Sequence, residues 1–223
     1  MIVGDLKPIE EIVSYLKGFN QVLVVGCSGC VSVCLSGGAK NADALIREID
    51  TPRYFGLKRP VFISSAILRQ CEKDMVKNFL KVPPGTDAIL SLACGAGVQT
   101  LAEVFKDLPI FPALNTTFIG SYEEPGVWEE KCRGCGDCVL AYTGGICPIA
   151  RCAKNLLNGP CGGSTNGRCE VREDHPCAWQ LIIDRLKALG KLDLYMNIIG
   201  FKDWSKDRGG GARSLKRAIP EIY

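Results

Sequence analysis

The sequence predicts an α/β fold in two parts: an N-terminal doubly wound parallel sheet over residues 1–125 and a C-terminal cysteine-rich, loop-rich, metal-binding domain over 126–223. Three observations carry this. Short β-branched runs alternate with helix-period segments from "PIEEIVSYLKG" (8–18) to "LPIFPAL" (108–114), the pattern of a parallel sheet with helical crossovers. The composition then changes at "SYEEPGVWEEK" (121–131), which is acidic and turn-rich and reads as a domain boundary. Beyond it lie eight of the chain's thirteen cysteines, between 132 and 177, in glycine-dense loops.

The elements follow in order. Residues 8–18 place Ile9, Ile12, Val13 and Leu16 on one helical face, with Pro8 near the start and Gly18 after the end. "QVLVVGCSGC" gives a buried strand over Val22–Val25. "GGAKNADALIREID" reads as a helix, "PVFISSA" as a second strand, and "CEKDMVKNFLK" as a helix with Met75, Val76, Phe79 and Leu80 inward. "DAILSLACG" is a third strand, followed by a helix carrying Val98, Leu101, Ala102 and Phe105, and "LPIFPAL" is a fourth strand. In the second part, "AWQLIIDRLKALG" is a helix with Leu181, Ile182, Leu186 and Leu189 inward, and "LDLYMNIIG" a last strand. The Rossmann- or flavodoxin-like arrangement places ligands beyond the carboxyl ends of the strands.

Cysteines occupy those ends. Cys27 and Cys30 follow the first strand, Cys34 comes four residues later, and Cys94 follows the third strand. The turn "GCSGCVSVCLSGG" has sulfur where a dinucleotide fingerprint would have glycine. Free N–H groups at a helix start favour anions, and a thiolate-ligated iron–sulfur cluster is anionic. The reading is one cluster on Cys27, Cys30 and Cys94, with Cys34 and Cys71 equal candidates for the fourth place. The other readings are a thioredoxin-type dithiol at "CSGC" and buried structural thiols. The C-x₂-C-x₃-C spacing reverses that of radical-SAM enzymes, which disfavours that chemistry.

In "KCRGCGDCVLAYTGGICPIARC" (131–152), Cys132, Cys135 and Cys138 follow C-x₂-C-x₂-C, then Cys147-Pro148 and Cys152, with Cys161, Cys169 and Cys177 beyond. A C-x₂-C-x₂-C triple with a later Cys-Pro is a bacterial ferredoxin pattern. The gap to Cys147 is eight residues here and the second half of the repeat is missing. Two Cys₄ zinc sites are the alternative. Thirteen thiols therefore suggest up to three [4Fe-4S] clusters, one in the first part and two in the second, with zinc possible at one C-terminal site. The allotment is Cys132, Cys135, Cys138 and Cys177 for one, and Cys147, Cys152, Cys161 and Cys169 for the other. With few large apolar residues between Cys132 and Cys177, this part is expected to depend on metal to fold.

Bulk properties narrow the function. A chain of 223 residues that is 47% hydrophobic needs no disulfide framework to bury a core. Net charge is +3 with a pI near 8.2, which makes no electrostatic case for nucleic acid. No signal-peptide layout opens the chain and no run reaches the roughly 18–20 apolar residues of a membrane span, so a cytoplasmic location is expected. Clustered thiols in such a compartment more often bind metal or do redox chemistry than form disulfides. With a single histidine, His175, mixed Cys/His sites and most histidine-based acid–base catalysis fall away. "FKDWSKDRGGGARSLKRAIPEIY" is a basic, glycine-broken tail, and Lys202–Tyr223 is a candidate clamp for a partner.

The strings "KCRGCGDCVLAYTGGICPIARCAKNLLNGPCGG", "GRCE" and "HPCAW" resemble the cysteine-rich C-terminal module of methylenetetrahydrofolate reductase, and "GCSGCVSVC", "RQCE" and "LACGAGVQTLAE" are similar to MetV-type small subunits of that enzyme. The resemblance implies an electron-transfer subunit carrying iron–sulfur clusters, with all thirteen cysteines on the family's motifs. It also implies a flavoprotein, barrel-type MetF partner whose flavin reduces the folate, and possibly a further electron-donor module. No barrel, flavin or folate site is evident in this chain, so catalysis is expected in the partner. The alternatives are an electron-transfer subunit of a heterodisulfide-reductase-like complex and a zinc or redox-regulatory protein.

Overall fold

The computed structural model describes residues 1–207, 211–215 and 217. The chain divides into two compact units, Met1–Glu129 and Glu130–Tyr223.

In the first unit, β1 (Ile2–Leu6) and α1 (Ile9–Leu16) precede β2 (Gln21–Cys27). A single turn, α2 (Cys30–Val33), leads to α3 (Ala39–Ile49) and a second turn, α4 (Pro52–Phe55). Then come β3 (Val61–Ile67), α5 (Lys73–Phe79), β4 (Ala88–Leu92), α6 (Gly95–Val104), β5 (Ile110–Pro112), β6 (Leu114–Glu124) and β7 (Val127–Cys132). Strands β3-β2-β4-β5, in that order, make a four-stranded parallel sheet of the Rossmann/flavodoxin type. Strand β2 pairs with β3 on one side and β4 on the other, Gly26 lying opposite both Ala66 and Leu92.

Alternation along β2 sorts the helices onto two faces. Val22 and Val24 pack with Ile12 and Leu16 of α1 and with Leu45 and Ile49 of α3. Leu23 and Val25 pack with Val76 of α5 and Leu101 of α6 on the other face. All four of these β2 side chains are fully buried, which is why the run reads as unbroken apolar sequence. At the strand's end a Cβ on Gly26 would sit 2.4 Å from the Gly38 backbone, so only glycine lets β2 meet the start of α3. Phe79, expected inward, is exposed: α5 ends there, and Val76 and Leu80 take the inward positions.

A second sheet, β1-β6-β7, was not anticipated, and β1 runs antiparallel to β6. The stretch 121–131, read as a boundary, is the end of β6 and most of β7, joined through Pro125–Gly126, and the two compact units divide within it, after Glu129. Val3, Leu114, Phe118 and Trp128 from this sheet pack with Cys27, Val31, Cys34 and Ala93. The small sheet is a floor beneath the cysteine-bearing turn.

The second unit contains α7 (Pro148–Arg151), α8 (Ala178–Ala188), α9 (Asp193–Met196) and a 3₁₀ turn at Trp204–Lys206. "LDLYMNIIG" is therefore not a strand; Gly190, at φ +63°, ends the α8 path, and Leu194 and Tyr195 fold back on Trp179. Trp179, Ile182 and Leu186 form a core with Ile146 and Leu156, and the Trp179 indole donates to the Leu156 carbonyl at 3.0 Å. Leu189 stays half exposed past the last buried turn. This apolar packing is centred on α8, beyond Cys177, with Ile146, Cys152 and Leu156 packed against it from the cysteine-rich segment. Among the described residues no helix is long and apolar enough to cross a membrane.

Two polar clamps fix the parallel sheet. The Asp87 carboxylate accepts from the backbone N–H of Asn20 (2.8 Å) and Gln21 (3.0 Å), tying the entries of β2 and β4 together. Gln70 is fully buried after β3; its amide donates to the Val25 carbonyl at 2.9 Å and accepts from the Ser91 hydroxyl at 2.6 Å. One side chain thereby links β2, β4 and the loop leading to Cys71.

Three predictions follow from this packing. Partial burial opposes ionisation of Asp87, but the Asn20 and Gln21 donors outweigh it and hold its carboxyl below the usual carboxylate range. A depressed acid stabilises the fold above its unfolded-state value, and that contribution is lost as pH falls through the folded value; Asp87→Asn should therefore flatten the acid limb of the stability–pH curve measured by urea unfolding. Gln70→Leu leaves two buried partners unsatisfied and should cost about 1–3 kcal/mol, with faster alkylation of Cys71 as its loop loosens. Trp179→Ala should cost about 3–5 kcal/mol and expose the second unit to limited proteolysis while the first stays resistant.

Candidate functional site

The order β3-β2-β4-β5 reverses direction between β2 and β4, since the chain leaves β2 to one side and returns on the other. Ligands of such sheets sit at this point, beyond the carboxyl ends. Cys27 closes β2, Cys30 opens the turn α2, and Cys94 stands at the N-cap of α6 just past β4. Cys27 lies opposite Ile67, the last residue of β3, and its sulfur is 3.9 Å from the Leu68 carbonyl. Cys71 follows on that same loop. The Gly95 N–H donates to the Thr116 hydroxyl at 2.8 Å, so the floor sheet also anchors the residue after Cys94.

The Cys71 sulfur records the convergence. Burial pushes its thiol up, and the neighbouring Cys94, Cys27 and Cys30 sulfurs, in that order, push it further. Four thiols from three successive strand ends therefore share one edge. Cys34 packs beside Cys27 and Cys94 on the side of the floor sheet. It is buried against the floor, its sulfur 3.2 Å from the Ser36 hydroxyl and 3.4 Å from the Val31 carbonyl. Both candidates left equal by spacing lie near the others: Cys71 has Cys94, Cys27 and Cys30 as neighbours, and Cys34 shares a packed cluster with Cys27 and Cys94. The helix expected to supply an anion-binding start at Cys30 is one turn long, too short to build a dipole.

In the second unit Cys152, Cys161, Cys169 and Cys177 line one cleft with Trp179, Lys154 and Glu170. Cys177 shares this cleft with the other three, and Cys147 stands at the N-cap of α7. The Cys161 thiol donates to Glu170 Oε1 at 3.3 Å and receives the Gly163 N–H at 3.4 Å, while Lys154 pairs with the same Glu170 oxygen. A Cβ on Gly163 would fall 1.8 Å from Glu170 Oε2, so the carboxylate lies over bare backbone. The Lys154 pair holds the Glu170 carboxyl below its ordinary range, with the Cys161 hydrogen bond adding to it.

On the third group, Cys132, Cys135 and Cys138, the Gly134 N–H donates to the Cys132 sulfur at 3.3 Å. The buried Lys202 donates to the Asp137 carbonyl, Asp203 N–H to the Asp137 carboxylate at 3.2 Å, and Arg213 to the Gly134 carbonyl at 2.9 Å. The described part of the tail is therefore laced onto its own cysteine loop; residues 208–210, 216 and 218–223 of the expected clamp lie outside the described residues. His175 is half exposed and bonded to Asp174 at 2.7 Å, a surface loop role.

The cofactor expectation is corrected here. All thirteen cysteines are free thiols, and among the described residues no group of three or more histidine, cysteine, aspartate or glutamate side chains is placed to hold a metal ion. Neither [4Fe-4S] clusters nor zinc are supported at these positions, and the flavin was expected only in a partner chain. The reasons are local. Cys34 points into the floor, Cys161 is engaged by Glu170, and the cleft among Cys152, Cys161, Cys169 and Cys177 is about 20 Å³, room for a single water. Sequence spacing found every thiol but not the groups that position them. Gln70, Thr116 and Glu170 carry no motif and were missed.

No curated protein and no solved structure is matched by the chain. Residues 111–205, from β5 through the cysteine-rich unit to the start of the tail, match the family described as "Methylene-tetrahydrofolate reductase C terminal".

Proposed function

We propose that the chain is an accessory, electron-delivering subunit of a methylenetetrahydrofolate reductase system, serving a separate flavoprotein subunit that performs the folate chemistry. The observation that supports this most is the family match over residues 111–205 in a chain whose N-terminal sheet carries four converging thiols at its switch point. In this reading Cys27 and Cys30 are the redox pair, with Cys71 and Cys94 beside them. Oxidising two thiols to a disulfide releases two electrons and two protons, which is what turning a methylene into a methyl group consumes. An electron-donor module returns two electrons and two protons to restore the dithiol. The protein's part is to hold the pair at an accessible edge on a rigid sheet, with the floor sheet and Gln70 fixing its loops.

The test is reconstitution with a catalytic reductase subunit and a reductant. The isolated chain should not reduce methylenetetrahydrofolate with a chemical reductant, whereas the complex should. Cys27→Ser or Cys30→Ser should lower the rate of the complex by at least about tenfold without dissociating it. Turnover by the isolated chain, or failure of the two subunits to associate, would sink the reading.

A further inference from the structure

We infer that the cleft lined by Cys152, Cys161, Cys169 and Cys177 is a second thiol–disulfide exchange site, separate from the sheet edge, with Cys161 as the sulfur that meets a small-molecule disulfide. Four cysteines line one small cleft of about 20 Å³. They differ in access. Cys161 is exposed, Cys152 and Cys169 are half-buried, and Cys177 is buried in the core beside Trp179. One cysteine of the cleft is therefore open to a reagent, and three less exposed ones line the same cleft behind it.

The surroundings of Cys161 set it apart from the other exposed thiols of the unit, Cys132 and Cys138. Its S–H is directed to a carboxylate at 3.3 Å and the Lys154 ammonium sits on that carboxylate, whereas the backbone N–H its sulfur receives at 3.4 Å has a counterpart at Cys132. Gly163 makes this arrangement possible, because any side chain there would displace Glu170. Glu170 is the proton acceptor at hand when Cys161 attacks, and the Lys154 ammonium offsets the charge of that carboxylate beside the sulfur.

The chemistry balances without a metal. Cys161 attacks one sulfur of the disulfide RSSR; an S–S bond forms to Cys161, the R–S–S–R bond breaks, and one RSH leaves with the proton from Cys161. A second cleft thiol then attacks Cys161, forms the intramolecular disulfide and releases the second RSH with its own proton. Two protein thiols are oxidised and one RSSR is reduced to two RSH.

The inference does not depend on the proposed reductase role, and its test needs no partner. The full chain, reduced, freed of reductant and handled anaerobically, is treated with glutathione disulfide; the remaining thiols are then alkylated and the disulfides mapped by mass spectrometry. The expected result is loss of two thiols in this cleft, as a disulfide joining Cys161 to Cys152, Cys169 or Cys177, before Cys132 or Cys138 reacts. Cys161→Ser should abolish that disulfide, whereas Cys27→Ser, at the sheet edge, should leave it unchanged. The wild-type map decides the matter even if the Cys161 variant fails to fold. A stable glutathione adduct at Cys161 with no resolution, equal reaction at Cys132 and Cys138, or protection of all four thiols that ends only when bound iron or zinc is extracted would each overturn the inference.

Discussion

The in-register pairing of β2 with both β3 and β4 is the constraint on which the first unit depends. It makes β2 a strand buried on both faces, so Val22 through Val25 must all be apolar and the helices must divide between the two sides. It also sets where three strands end. Cys27, the loop to Cys71 and Cys94 meet because the strands before them stop level with one another, and neighbouring strands are only about 4.8 Å apart. Without that register the thiols would be far apart in space as they are in sequence.

Polar groups then turn a meeting of loops into a fixed edge. Gln70 would be costly to bury alone, yet its amide finds a carbonyl on β2 and a hydroxyl on β4, so its burial cross-links the sheet. Thr116 does the same from the floor, taking the first free N–H of α6. In the second unit Glu170 has a comparable place over the cleft, but at an exposed rim where its pairing with Lys154 contributes little stability.

The parallel sheet was legible in the sequence because its signal is local: the central strands β2 and β4 are apolar runs that end at Cys27 and just before Cys94, and the helices between strands carry their own period. The floor sheet was not. Its first strand, "IVGDL", is five residues joined to a partner more than a hundred positions away, and β6, "LNTTFIGSYEE", is largely polar and exposed because little covers its outer face. The acidic character of 121–131 is that outer face, read from sequence as a boundary. The site was half legible for the same reason. Spacing identifies cysteines, but it cannot say that the Cys34 sulfur is held by Gly4 and Ser36 or that Cys71, far along the chain, has Cys27 as a neighbour. Nor could it say that Cys177 sits with Cys152, Cys161 and Cys169, since that depends on where α8 begins.

The segment shared with the reductase family begins at residue 111 and so does not coincide with either compact unit. It takes β6 and β7 but omits β1, the neighbour that covers the other side of β6. Cut at that point, β6 would present a bare row of N–H and C=O groups from Leu114 to Ile119, with Leu114 and Phe118 uncovered, which is a template for strand addition and self-association. The folded unit is therefore longer than the matched segment: residues 2–6 close a sheet edge that residues 111–205 cannot close for themselves.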